Sequence, residues 1–112
     1  MNWIALTSDQ AIEEIKKVSE EQPVLIFKHS TRCAISSTSL NRLERNWNAE
    51  DMQRVKPYFL DLIAYRTISN QVAQEFDVAH QSPQLLLIKN GQCVYHSSHM
   101  AINYNNLKKV AI

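Results

Sequence analysis

Glycine is almost absent from this chain: there is one in 112 residues. Prolines number three, and there is no serine- or proline-rich tract, so nothing reads as a flexible linker. No repeat or domain boundary emerges, and one domain over 1–112 is expected. Cysteine is scarce as well. Cys33 and Cys93 stand sixty positions apart and form no CxxC pair. An excess of one charge is also lacking. Twelve Lys and Arg balance eleven Asp and Glu, for a net charge of +1. That removes the electrostatic footprint of a nucleic-acid binder. Apolar runs such as Leu85–Ile88 are far short of the ~20 residues that span a bilayer, so no membrane partner is expected. No basic stretch followed by an apolar run opens the chain, so no signal peptide is expected. A cytoplasmic location is therefore expected, and a structural disulfide is uncommon there.

What is present is an alternating pattern. Trp3–Leu6 is a short apolar run that predicts a first strand. Thr7 with Gln10 fits a capping box, with Asp9 suited to the positive end of a helix, and Ala11, Ile15 and Val18 make one apolar stripe. Val24–Phe27 is a continuous apolar run, the mark of a strand buried on both faces. A polar loop, His29-Ser30-Thr31-Arg32, follows, then a helix from about Cys33 to Trp47. Tyr58–Ile63 predicts another strand, and Ile68, Val72 and Phe76 a third helix. Leu85–Ile88 and Cys93–Tyr95 flank Asn90-Gly91, a strong hairpin signal. Asn103–Val110 predicts the last helix. The order is βαβαβαββα. It is that of a thioredoxin-like α/β three-layer sandwich with a central mixed sheet.

Cys33 falls at a strand-to-helix junction. Unpaired backbone N–H groups and the helix dipole favour a thiolate there. Lys28, His29 and Arg32 place positive charge nearby in sequence. Three positions on, where a dithiol enzyme carries its second cysteine, stands Ser36. A hydroxyl cannot resolve a mixed disulfide, but it can donate a hydrogen bond to a thiolate. Cys33-Ala34-Ile35-Ser36 therefore reads as a monothiol centre that waits for an outside thiol. The strand before it carries no buried acid, which agrees with that mechanism. A lone cysteine is otherwise a small buried hydrophobe.

Phe27-Lys28-His29-Ser30-Thr31-Arg32-Cys33-Ala34-Ile35-Ser36 resembles the FKHSTxCPIS segment of the monothiol bacilliredoxins, the YtxJ-like general stress proteins. His80-Gln81-Ser82-Pro83-Gln84 resembles their HxSPQ segment, and Asn90-Gly91 and His99-x-x-Ile102-Asn103 are similar too. The family's proline after the cysteine is Ala34 here. The resemblance implies a thiol–disulfide oxidoreductase that removes bacillithiol, or a related low-molecular-weight thiol, from S-thiolated cytosolic proteins through Cys33. It implies that Pro83 is a cis-proline facing the cysteine and that the Ser82 backbone pairs with substrate. Thr31, Ser82, Pro83 and His99 are the candidate substrate- and thiol-binding residues. Ser36, Arg32 and His29 are the candidate supporting ones. No bound cofactor and no metal is expected, the small thiol being a co-substrate, and a monomer is favoured. Two other readings stay open: a non-catalytic binding module that uses the proline-side groove, and a sensor that stores a mixed disulfide.

The remaining polar residues carry less. His96-x-x-His99 on an extended segment sends the two rings to opposite sides, which disfavours zinc. Cys93 reads as a strand-packing residue. As a resolving thiol its Cα would have to lie within roughly 7 Å of that of Cys33.

Overall fold

The computed structural model describes residues 1–112. Five strands and four helices alternate in the expected order: β1 (Ile4–Ala5), α1 (Asp9–Val18), β2 (Val24–His29), α2 (Ala34–Asn46), β3 (Lys56–Asp61), α3 (Arg66–Glu75), β4 (Gln84–Lys89), β5 (Gln92–Ser98) and α4 (Tyr104–Ala111). A single 3-10 turn, His99–Ala101, joins β5 to the last helix. The sheet order is β1-β3-β2-β4-β5. The first three strands are mutually parallel, whereas β4 runs antiparallel to both β2 and β5.

Alternation along β2 divides the core. Val24 and Ile26 turn to one face, where Ile12 and Ile15 of α1 and Val72 of α3 pack. Leu25 and Phe27 turn to the other, against Leu43 of α2 and Tyr104 and Leu107 of α4. Leu86 and Ile88 continue the first cluster from β4, and Leu85 and Leu87 the second.

Two local expectations are corrected. The N-cap of α1 is Ser8, not Thr7: the Ser8 hydroxyl accepts the Ala11 N–H at 3.2 Å. Ser8→Ala is expected to cost about 1 kcal/mol in urea unfolding, and Thr7→Ala far less. The second correction concerns β2, which runs two residues beyond the apolar stretch. Lys28 and His29 lie within the strand and are buried, as is Ser30. Hydropathy ends at Phe27, but hydrogen bonding to β3 continues through His29↔Asp61.

The Asn90–Gly91 hairpin is present. Both residues have positive φ, +53° and +74°, the condition that makes glycine valuable in a two-residue turn. The turn is pinned to the end of α1, where Ser19 accepts the Asn90 N–H on its carbonyl and the Gly91 N–H on its hydroxyl, both at 2.8 Å.

Candidate active site

The C-terminal end of β2 carries the site. Lys28 pairs with Gln84 and Gln84 with Ser98. One step further, the register sets His29 opposite Pro83 and Pro83 opposite His99. The His99 N–H donates to the Pro83 carbonyl at 3.0 Å, closing that rung. The Ser82–Pro83 peptide is cis. Pro83 is buried and Ser82 half-buried.

Helix α2 is fastened onto this rung by two serines three positions apart, which share a face of the helix. Ser36 Oγ lies 2.7 Å from His29 Nδ1. Ser39 Oγ donates to the His99 carbonyl at 3.2 Å. Both serines are fully buried. Parity explains the first contact: His29 shares the face of Leu25 and Phe27, the face that α2 covers.

Cys33 is the N-cap of α2, half-buried and in the free thiol form. Its N–H donates to the Ser30 carbonyl at 3.1 Å, and its carbonyl accepts the Ser37 N–H at 3.2 Å. The amides of the turn that follows have no intrahelical acceptor, and no acidic residue occupies that turn. Such an end favours negative charge. Thr31 and Arg32 form the exposed turn between Ser30 and Cys33.

The Ser36 hydroxyl does not serve the sulfur as the spacing suggested. It accepts the Ser30 N–H at 3.0 Å and shares a second hydrogen bond with His29 Nδ1. Burial holds His29 below the ordinary histidine pKa, with Asp61 and Glu44 opposing part of the effect. The ring also lies against Phe59, with centroids 5.5 Å apart. Ser36 therefore locks the strand-to-helix loop. Ser36→Ala leaves the Ser30 N–H and His29 Nδ1 without their shared partner. It is expected to cost about 1–3 kcal/mol in urea unfolding.

Cys93 is far from this arrangement. It pairs with Ile88, which pairs with Val24 at the opposite end of β2. Five residues at about 3.3 Å each separate Val24 from His29, roughly 16 Å along the sheet. Cys93 packs against the α1–α3 core, and its Sγ donates to the Tyr95 carbonyl at 3.3 Å. Burial pushes its thiol pKa up, and hydrogen bonds with the backbone of Tyr95 and Leu87 counter part of that. A resolving role for Cys93 is excluded on geometry.

Sequence reasoning singled out Cys33, His29, Ser36, Pro83 and His99 from separate segments, of which the structure joins His29 to Ser36 and His99 to Pro83. It missed Ser39, whose partner lies sixty residues away. The available signal was a serine at a helix position that should face the core.

The comparisons with known proteins agree with this architecture. A family model described as monothiol bacilliredoxin BrxC matches residues 4–107. Among solved structures, a thioredoxin-fold protein described as a candidate oxidoreductase is 27% identical. It superposes with a TM-score of 0.79, over 95% of this chain and 90% of its own. Thioredoxin from Malassezia sympodialis is 17% identical, with a TM-score of 0.73 over 98% and 88%. Trxlp from Edwardsiella tarda is 20% identical, with a TM-score of 0.69 over 96% of each chain. No helix of the chain is long and apolar enough to cross a membrane. Family and fold together support a thiol-oxidoreductase type of function. A match that spans nearly the whole sequence, cysteine and proline segments included, places this chain in the monothiol bacilliredoxin family.

Proposed function

We propose that the protein removes a low-molecular-weight thiol, bacillithiol by family, from S-thiolated cytosolic proteins by monothiol exchange at Cys33. The Cys33 thiolate attacks the small-thiol sulfur of the protein mixed disulfide. A Cys33–small-thiol disulfide forms, and the protein sulfur leaves as a thiolate that takes a proton from solvent. A second small thiolate then attacks that small-thiol sulfur. The symmetrical small-thiol disulfide departs, and the Cys33 thiolate is regenerated. The net change consumes one free small thiol and returns one protein thiol. Electrons come from the small thiol, and the scheme uses no metal, flavin or nicotinamide.

The chain's own residues divide the work. The start of α2 presents the sulfur at a helix end with no acidic residue in its first turn. Ser36 and His29 fix the loop that presents it. The Ser82–Pro83 edge orients the incoming disulfide, with Thr31, Arg32 and His99 around it. The observation that carries this reading is a half-buried free cysteine at the start of the helix that follows β2, with no second cysteine in reach. The test is release of bacillithiol from an S-bacillithiolated protein, followed by mass. Release matched to enzyme concentration is expected. Failure on bacillithiol- and glutathione-loaded substrates alike sinks the reading.

A further inference from the structure

Lys28 takes no part in the exchange above, yet it is fully buried. Its parity is that of Val24 and Ile26, so it faces α3 rather than α2. Nζ donates to the Ser69 carbonyl at 3.3 Å and to His80 Nδ1 at 3.3 Å. The Ser69 hydroxyl lies 3.4 Å from the same ring nitrogen. No carboxylate stands within ion-pair distance of it. Burial pushes its pKa down to about 8. A buried cation without a counter-ion costs stability, and an apolar side chain of the same length would fill the space without that cost.

The neighbouring strand carries a second buried polar side chain with the same target. Gln84, directly cross-strand from Lys28 and on the same face, is almost fully buried. Its Nε2 donates to the Ala79 carbonyl at 3.0 Å. Two adjacent residues of one rung thus reach two adjacent residues of the segment 78–83, which has no regular secondary structure. That segment ends at Ser82 and Pro83. Its far end is held by the His99 N–H on the Pro83 carbonyl.

We infer that Lys28 is a positioning residue of the proposed exchange. Together with Gln84, it ties Ala79–His80 to the sheet and so fixes where Ser82 and Pro83 stand beside Cys33. This rests on the function proposed above. A segment without ladder hydrogen bonds is otherwise free to open locally at little cost. The two side-chain tethers supply the restraint that the backbone lacks, and the stability given up to bury a cation goes into placing the substrate edge.

Lys28→Met, which keeps length and volume, separates placement from folding. Hydrogen exchange of the peptide covering 78–83 is expected to quicken at least tenfold, with α2 unchanged. De-thiolation of a thiolated protein is expected to slow about tenfold, mainly through KM. Alkylation of Cys33 by iodoacetamide, which needs no substrate edge, is expected to stay within twofold. Unchanged exchange with unchanged de-thiolation overturns the inference. A proportional fall in alkylation and de-thiolation also overturns it, because Lys28 would then act on the sulfur. Should Lys28→Met fail to fold, His80→Leu removes the acceptor at an exposed position. The same selective loss is expected there, and wild-type behaviour overturns the inference. Exchange protection requires no activity. A loosened segment in the variant of a wild type that cannot de-thiolate supports the tether and removes the exchange reading instead.

Discussion

Cys33→Ser is expected to abolish the proposed de-thiolation, lowering the rate by at least about a thousandfold, because no other group near the site can form the mixed disulfide. Serine keeps the N-cap position filled, since the observed cap uses the backbone and not the side chain of Cys33. The variant therefore remains folded, and thermal unfolding within about 1 kcal/mol of wild type checks this. Cys93→Ser is the counterpart. The Cys93 thiol is half-buried, held protonated by its surroundings, and at the far end of the sheet. Its loss leaves the rate within about twofold, as a monothiol route requires. Loss of activity in both variants would mean that electrons pass through a disulfide between them, which the sheet register forbids.

The second large effect is on stability against pH, and it comes from Lys28. In the folded chain its proton leaves near pH 8, against an ordinary value of 10.5. Between those values the unfolded chain binds the proton and the folded chain does not. Stability therefore rises with pH across that window, by on the order of 3 kcal/mol in total. Below about pH 8 the full penalty of the buried cation applies. The charged or titrating groups around it are His80 on the 78–83 segment and Arg66 of α3, whose charge acts on the His80 ring. Its rung neighbours Leu60 and Gln84 are neutral. His80 is itself held below the ordinary histidine value by burial, then by Lys28 and Arg66. It is thus neutral throughout this window. In Lys28→Met the rise disappears, and the variant is at least as stable as wild type at pH 7. Urea unfolding of both proteins from pH 7 to 10.5 measures the difference. Parallel curves would show that Lys28 does not titrate from a buried state.

The sequence made some of these features legible for definite reasons. Val24–Phe27 and Leu85–Ile88 are apolar because both sheet faces are covered, so their hydropathy is unambiguous. Asn90–Gly91 is legible because two consecutive positive φ angles select for such residues. Cys33 was found through the strand-to-helix change around it. Hydropathy puts His29 in the loop and leaves Lys28 outside the strand, because their polarity masks their burial. Parity along β2 sends them to opposite faces, and each is satisfied by a partner that hydropathy does not show: Ser69 and His80 for one, Ser36 for the other. The direction of the Ser36 hydroxyl was likewise hidden. Spacing from Cys33 suggests the sulfur, but a buried His29 and an unpaired Ser30 N–H are stronger claims on it. The core-facing position of Ser39 is legible from helix spacing, but its partner is not, because only the β4–β5 topology brings His99 back to α2.

A single sulfur acting alone leaves a direct signature. The purified protein is incubated with oxidised bacillithiol, and separately with oxidised glutathione, then digested without reduction and mapped by mass. One small-thiol adduct per chain, on the peptide containing Cys33 and absent from that containing Cys93, is the predicted result. An adduct on Cys93, a Cys33–Cys93 crosslink, or an unmodified Cys33 with both disulfides would contradict it.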